Sequence, residues 1–308
     1  MTAPALMAAL APAGGPVLVT GGAGQLATCL ADRGGPRIRR LGRPAFDFDR
    51  PDSLPEAFAA VRPAAVVNAA AWTAVDAAET DPDGAARANR DGPARLARLC
   101  AEAGVPFIHV STDYVFAGDK GAPYVEADPV SPTGVYGRTK AEGEALVLAG
   151  WERSVILRTS WVYSAGGKNF VRTMLGAGAR NPTLKVVGDQ VGCPTSADDL
   201  ADAILAILAR IEQGGWQDGL GGIFHAAGTG QTSWHGLAVA ALERASRHGQ
   251  RMPEVLAIRT ADWPTPARRP ADSRLNCDKL EGIFGLRLPA WQDSLALTVD
   301  RLMIPPTV

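Results

Sequence analysis

The sequence predicts an α/β fold, a doubly wound parallel sheet with a smaller C-terminal α/β lobe. Two observations support this prediction. Short apolar runs rich in β-branched residues alternate with helix-like stretches through the first half, which is typical of a parallel sheet with crossover helices. The second half instead carries polar loops, one long apolar helix and a proline-rich segment, so we expect a second lobe there. The predicted strands are residues 16–20, 37–41, 65–68, 105–111 and 154–159.

The first unit combines a strand, a glycine turn and a helix. The run PVLVT (16–20) is followed directly by Gly21-Gly22-Ala23-Gly24, and a helical pattern covers residues 25–32. Glycines allow positive φ angles and close backbone approach, and free N–H groups at a helix start can hold a pyrophosphate. This order is the first unit of a dinucleotide-binding fold. An ordinary Gly/Ala-rich turn is the alternative at this point.

Later segments are less regular. A helical stretch at 84–103 contains Pro93, which we expect to start or kink a turn there. Residues 166–192 include NPTLKVVGDQ, which we predict to be a polar loop. An apolar helix is predicted at 197–212. Residues 260–274 hold three prolines and three arginines, so they predict an ordered loop laid over a binding surface.

These features predict two lobes and an N-terminal extension. We expect a dinucleotide-binding domain at 15–165, with roughly 193–228 returning to it, and a substrate-binding lobe formed by 166–192 and 229–308. Residues 1–14 predict a flexible extension. No Lys or Arg precedes Arg33, and a signal peptide needs a basic start, so we expect a cytoplasmic protein.

Composition argues against several function classes. Lys and Arg total 31 against 32 Asp and Glu, a net charge of −1 over 308 residues, which does not favour nucleic-acid binding. The four cysteines are scattered without a CxxC pair, so neither a disulfide framework nor a zinc ribbon is expected. No run of 18 apolar residues lacks Gly, Pro or charge, so no membrane contact is expected. We also predict that the cysteines and His109 are core residues.

Two pairs of residues predict chemistry. Tyr136 and Lys140 in VYGRTKAEGE lie four apart, on one face of a helix. A lysine near a phenol lowers the phenol's pKa, which makes Tyr136 a candidate proton donor or acceptor. Thr112 and Asp113 follow the predicted strand 105–111, where ligands of open α/β sheets bind. A solvated helix face and a turn cap are the respective alternatives.

The motifs together resemble a known family. A glycine loop, an Asn68-Ala69-Ala70-Ala71 run, Ser/Thr after the next strand and YxxxK form the pattern of the extended short-chain dehydrogenase/reductase superfamily. Within it, the chain is similar to the dTDP-4-dehydrorhamnose reductase family, and the similarity spans nearly the whole chain. The segments that carry the resemblance are GGAGQLA (21–27), VVNAAAWTAVDAAE (66–79), STDYVF (111–116), PTGVYGRTKAEGE (132–144), LRTSWVY (157–163), NF (169–170), TSWHGLA (232–238) and PTPARRPADSRL (264–275).

The resemblance implies a Rossmann-type fold and NADPH-dependent reduction of the C4 ketone of a dTDP-linked 4-keto-6-deoxy sugar. The second strand ends in IRRL, and its last residue is not an acid that could bind a ribose 2′-hydroxyl, whereas Arg40 and Arg43 could meet a 2′-phosphate. NADPH is therefore favoured, with NADH as an alternative. The implied cofactor-binding residues are Gly21, Gly24, Gln25 and Leu26 at the diphosphate, Arg43, Asp47 and Phe48 at the adenosine, Ala71, Trp72 and Thr73 at the nicotinamide, and Tyr136 and Lys140.

The resemblance also implies roles in catalysis and substrate binding. Tyr136 would protonate the C4 oxygen, Lys140 would bind the nicotinamide ribose and tune Tyr136, and Thr112 would orient the ketone. Asp113 and Trp161 would contact the sugar nucleotide. We further predict Asn169, Arg268 and Arg269 at the nucleotide or its diphosphate, because guanidinium groups suit phosphate oxygens. A structural role for the arginines is an equal alternative. No metal is predicted, and the protein is expected to be a monomer or homodimer.

Three other functions are alternatives. A dehydratase of the same superfamily would carry Asp-Glu after its active-site Thr, whereas Asp113-Tyr114 follows Thr112 here. An epimerase is harder to exclude, although PTPARRP (264–270) favours a reductase. A regulatory subunit of methionine adenosyltransferase would bind a dinucleotide without turnover. Thr112, Tyr136 and Lys140 argue against that reading without disproving it.

Overall fold

The computed structural model describes residues 14–304, and its centre is a parallel sheet. The predicted extension at 1–14 lies outside the described residues except for Gly14. The division into domains stays a prediction. The strands are β1 (Val17–Thr20), β2 (Ile38–Leu41), β3 (Ala65–Asn68), β4 (Phe107–Thr112), β5 (Ser154–Thr159), β6 (Val162–Tyr163), β7 (Thr183–Val187), β8 (Val191–Gly192), β9 (Thr195–Ser196), β10 (Gly222–His225), β11 (Thr232–Ser233) and β12 (Glu254–Ile258).

Helices cover both faces of this sheet and build the second lobe. They are α1 (Gln25–Gly34), α2 (Ser53–Val61), α3 (Val75–Thr80), α4 (Pro82–Ala86), α5 (Gly92–Ala103), α6 (Val135–Gly150), α7 (Phe170–Arg180), α8 (Ala197–Gly214), α9 (Trp234–Ser246), α10 (Asp278–Phe284) and α11 (Trp291–Met303).

The main sheet has six parallel strands in the order β10-β5-β4-β3-β1-β2. Val17 and Val19 point into the core shared with α1 and α8, while Leu18 between them points into the core shared with α2, α5 and α6. This alternation shows that both faces are buried, as a doubly wound sheet requires. The predicted fold class is confirmed, and all five predicted strands are present. The strand β10 was not predicted.

The second lobe packs α7, α9 and α11 around β7 and β12. The prediction of a polar loop at NPTLKVVGDQ is wrong, because β7 lies within it and pairs in parallel with β12. Leu184 and Val186 are buried, whereas Thr183 and Lys185 are exposed. This alternation of period two is the sequence signal of a half-buried strand.

Two segments of the chain are irregular. A π-helical turn (Arg87–Asp91) precedes α5, whose first turn contains Pro93. Residues 260–274 contain one short helical turn (Thr260–Asp262) and are otherwise irregular. All four cysteines are buried free thiols, as predicted. Within residues 14–304, no helix is long and apolar enough to cross a membrane.

A buried ion pair holds α6 against the sheet. Arg158 on β5 donates to Glu144 on α6 from Nε (2.9 Å) and Nη2 (2.6 Å), and the hydroxyl of Ser111 on β4 donates to the same carboxylate. The Arg158 guanidinium also lies over the ring of Phe116, 5.0 Å from its centroid. Arg158 and Glu144 are nearly inaccessible to water. The contact therefore fixes α6 relative to β4 and β5.

Removing the charge of Glu144 is expected to destabilise the fold. Glu144→Gln leaves a buried guanidinium without its counter-charge, so we expect the free energy of unfolding to fall by about 3 kcal/mol. The matched control is Glu142→Gln on the same helix, whose pair with Arg90 is exposed and whose loss should cost less than about 1 kcal/mol. Chemical denaturation of both variants measures the difference, and equal small losses would contradict this account.

Candidate active site

A cleft of about 960 Å³ opens at the carboxyl ends of the sheet strands. This is where ligands of open α/β sheets bind, and its volume is that of a ligand site, which is typically about 300–1,000 Å³. Most of the predicted site residues line it. They are Gly21, Gly24, Gln25, Leu26, Arg43, Asp47, Phe48, Ala71, Trp72, Thr73, Thr112, Asp113, Tyr136, Lys140, Trp161 and Asn169.

At one end of the cleft, backbone packs directly on backbone. Gly21 has a φ of 106°, and a Cβ on it would lie 2.9 Å from the carbonyl oxygen of Ala69. A Cβ on Gly42 would lie 2.5 Å from the Cα of Gly22. The N-cap of α1 is Gly24, which makes no side-chain cap hydrogen bond. The N–H groups at the start of α1 thus fit an anionic diphosphate.

The part of the cleft that follows β2 carries two arginines beside acidic residues. Arg43 is 72% exposed and lies 3.3 Å from Asp47 and 3.8 Å from Asp49. Arg40 donates to the hydroxyl of Thr28 at 2.8 Å. Both arginines line the cleft. They therefore place positive charge where a ribose phosphate could lie.

At the other end of the cleft, Thr112 is the last residue of β4 and Asp113 follows it. The Thr112 hydroxyl donates to Asp113 at 3.0 Å and accepts from the backbone N–H of Tyr114 at 3.2 Å. The second oxygen of Asp113 accepts from Ser160 at 3.0 Å. Burial raises the pKa of Asp113 to about 6, against hydrogen bonds from Ser273, Ser160 and Thr112 that lower it.

Tyr136 is buried on α6, beside Thr112. Burial raises the pKa of Tyr136 to about 12, and the charge of Asp113 raises it further, while a hydrogen bond with Thr112 lowers it. The prediction that Lys140 lowers the pKa of Tyr136 is therefore wrong, because desolvation of the phenol has the larger effect on this pKa. Tyr136 thus carries its proton at neutral pH and is suited to donate it.

Lys140 lies one turn further along α6, beneath the cleft. Its ammonium donates to the carbonyl oxygen of Val110 at 2.6 Å and approaches His109 at 3.4 Å. Burial lowers the pKa of Lys140 to about 8, against the charge of Glu144, which raises it. The side chain of Lys140 can therefore change its charge close to neutral pH.

Two tryptophans form an aromatic wall of the cleft. Trp161 has a φ of 49°, and its indole stacks on that of Trp234 with centroids 3.6 Å apart. A Cβ on Gly192 would lie 2.6 Å from the Trp161 ring, so only glycine leaves room for it. Trp234 belongs to TSWHGLA, but its place in the cleft was not predicted from the sequence. Lys168, which also lines the cleft, was likewise missed.

Asn169 joins the second lobe to the glycine loop. Its oxygen accepts from Arg172 N at the start of α7 (3.0 Å), and its amide nitrogen donates to Gln25 (2.9 Å) and to the Ser164 carbonyl oxygen (2.8 Å). Asn169 thus reaches the cleft, but its amide already has protein partners.

The structure does not bring Arg268 and Arg269 to the cleft. Both Nη atoms of Arg269 donate to Asp76 of α3, at 2.7 and 2.8 Å. Arg268 is exposed, and its carbonyl oxygen accepts from Thr133 at 3.4 Å. A bidentate carboxylate partner satisfies Arg269. The prediction that these arginines hold the nucleotide diphosphate is not supported by this placement.

Known proteins match the chain over almost its full length. The family model described as RmlD substrate binding domain matches residues 15–304. A dTDP-4-dehydrorhamnose reductase of Sinorhizobium fredii is 46% identical over 93% of this chain and 97% of the relative. A structure of the reductase of Clostridium acetobutylicum aligns with a TM-score of 0.85 at 35% identity, covering 94% of this chain and 100% of that one.

A second solved structure also aligns over most of the chain. The dTDP-4-dehydrorhamnose reductase of Bacillus anthracis, solved in complex with NADP, aligns with a TM-score of 0.85 at 30% identity and covers 92% of this chain and 98% of that one. On the identity to the curated relatives and the match of the family model, the chain belongs to the dTDP-4-dehydrorhamnose reductase family of oxidoreductases.

Proposed function

We propose that the protein reduces the C4 ketone of dTDP-4-dehydro-L-rhamnose to dTDP-L-rhamnose with NADPH. The observation that carries the proposal is the layout of one cleft. At one end lies a glycine cradle, formed by Gly21, Gly22, Gly24 and Gly42, which is suited to a dinucleotide. At the other end a protonated Tyr136 lies beside Thr112. Membership of the reductase family and the NADP complex of the Bacillus anthracis relative support the same assignment.

The glycine loop and the first turn of α1 would hold the cofactor diphosphate, with Asp47 and Phe48 at the adenine. Ala71, Trp72 and Thr73 would line the nicotinamide side. When bound, the reduced nicotinamide supplies the hydride for C4. Arg40 and Arg43 favour NADPH, because guanidinium groups bind a 2′-phosphate more strongly than a hydroxyl.

Tyr136 acts as the proton donor in this proposal. Reduction of a ketone leaves an oxygen that must gain a proton, and Tyr136 carries one because its pKa is about 12. Thr112 lies beside Tyr136 and would orient the same ketone oxygen. Asp113 and Trp161, at the same end of the cleft, would contact the sugar nucleotide.

Lys140 would bind the nicotinamide ribose from beneath. Its Nζ is fixed by the carbonyl oxygen of Val110, so its position does not depend on a ligand. Asn169 and Gln25 would hold the substrate lobe close to the diphosphate, because their hydrogen bond joins this lobe to the glycine loop.

A coupled assay tests the proposed reaction. The 4-keto sugar is generated from dTDP-glucose by the upstream dehydratase and 3,5-epimerase, and NADPH oxidation is followed at a wavelength of about 340 nm. We expect oxidation that requires both upstream enzymes and that proceeds at a lower cofactor concentration with NADPH than with NADH. A protein that binds NADPH but does not oxidise it under these conditions would contradict the proposal.

Substitution of the proton donor separates chemistry from binding. Tyr136→Phe should lower kcat by about 10²–10⁴-fold, the usual contribution of a general acid, while leaving NADPH affinity unchanged. The matched control is Tyr163→Phe, which removes a buried hydroxyl bonded to the Trp291 carbonyl oxygen outside the cleft. Fluorescence titration with NADPH measures affinity. Full turnover by Tyr136→Phe would assign the proton to another group.

A further inference from the structure

A row of buried polar side chains lies behind Lys140 and crosses the sheet. Thr20 on β1, Asn68 on β3, His109 on β4 and Lys140 on α6 are all within 1% of full burial. The amide nitrogen of Asn68 lies 2.9 Å from Nδ1 of His109, and Nε2 of His109 lies 3.4 Å from Nζ of Lys140. A buried histidine between an amide and a lysine is more than packing, because both ring nitrogens have polar partners.

The hydrogen bonds around Asn68 fix the proton on the His109 ring. The backbone N–H of Ala70 can only donate, and it faces Asn68 Oδ1 at 3.3 Å and Thr20 Oγ1 at 3.2 Å. The Thr20 hydroxyl also donates to Asn68 Oδ1. The Asn68 amino group must therefore donate to His109 Nδ1. A neutral imidazole that accepts at Nδ1 carries its proton on Nε2.

The Nε2–H tautomer of His109 can hydrogen-bond the uncharged amine of Lys140 but not its ammonium. An ammonium has no lone pair, so it cannot accept the Nε2–H of His109, whereas an uncharged amine can. The carbonyl oxygen of Val110 accepts from Lys140 in either form. Burial keeps His109 uncharged, because it lowers the pKa of His109 well below its usual value.

The other titratable groups around Lys140 are Glu144, Tyr136 and Asp113, and each has its own partner or keeps its proton. Glu144, one turn further along α6, is held by Arg158 and Ser111. Tyr136, one turn before Lys140, is protonated, and Asp113 hydrogen-bonds Thr112 and Ser160. The attraction of Glu144 favours the ammonium, whereas burial and the Nε2–H of His109 both favour the amine.

We propose that His109 is a positioning residue that stabilises the uncharged amine of Lys140 through its Nε2–H. The kinetic consequence rests on the proposed function. After Tyr136 gives its proton to the ketone, a Lys140 N–H bond can break and a Tyr136 O–H bond form. The electron pair left on the Lys140 nitrogen then accepts the His109 hydrogen bond.

The direct test is long-range ¹H–¹⁵N NMR of the ¹⁵N-histidine-labelled full chain, without cofactor, from about pH 6 to pH 10. We expect the His109 ring to stay neutral in the Nε2–H tautomer. Its ¹⁵N shifts should move once, with a midpoint near the Lys140 pKa of about 8, and this movement should vanish in Lys140→Met. His225, His235 and His248 serve as internal references, and His109→Gln assigns the signal.

An Nδ1–H tautomer, or a titration that survives in Lys140→Met, would overturn the inference. The tautomer is read in the unsubstituted protein, so the test does not depend on any variant folding. It also needs no turnover. A correct tautomer in a protein that fails the coupled assay would therefore contradict the proposed function alone, whereas a wrong tautomer in an active enzyme would contradict only the role of His109.

Asn68→Asp provides a second test with a defined direction. A carboxylate can only accept, so it moves the ring proton to Nδ1 and leaves Nε2 as an acceptor for the Lys140 ammonium. We expect the Lys140 midpoint and the matching limb of the pH profile of kcat to rise by at least one pH unit. An unchanged midpoint in a folded Asn68→Asp protein would contradict the proposal.

Discussion

The carboxylate of Glu144 holds the helix α6 in place. It joins α6 to β5 through Arg158 and to β4 through Ser111, in a region from which water is excluded. Ser111 immediately precedes Thr112, and Glu144 lies one turn after Lys140 on α6. The same contact therefore sets how Tyr136 and Lys140 meet the end of β4. A buried charge pair tolerates little displacement, since each charge depends on the other for compensation.

The opposite end of the cleft depends on backbone rather than side chains. The ends of β1, β2 and β3 approach so closely that Gly21 and Gly42 have no room for a Cβ. This contact aims the start of α1 into the cleft. The hydrogen bond from Asn169 to Gln25 then ties the second lobe to that same loop. The cleft thus has a glycine-rich backbone end beside β1 and a polar end where β4 meets α6.

The sequence predicted the parts of the molecule that depend on local pattern. The strands of the main sheet are short apolar runs, and the glycine loop and YxxxK are contiguous motifs, so their placement in one cleft followed from the fold. The strand β7 was missed because its alternation is brief and lies among polar residues. No role could be predicted for Trp234, because its stack on Trp161 depends on Gly192 and on the φ of Trp161.

Other properties depend on distant partners. Arg269 pairs with Asp76, 193 residues away, and no local signal predicts that ion pair. The direction in which the pKa of Tyr136 shifts depends on how completely the phenol is buried, because the effect of burial outweighs that of a nearby lysine. His109 was correctly predicted to lie in the core, but its hydrogen bonds to Asn68 and Lys140 became visible only in three dimensions.

The most direct test of the central claim is a crystal structure with NADP⁺ and dTDP-L-rhamnose bound together. The central claim is that Tyr136 and Thr112 face the reacting oxygen from the reaction end of the cleft. The result expected is that Tyr136 Oη and Thr112 Oγ1 both lie within about 3.2 Å of the sugar O4, with the diphosphate of NADP⁺ at the start of α1. A sugar bound with O4 away from Tyr136, or a cofactor outside the glycine cradle, would contradict it.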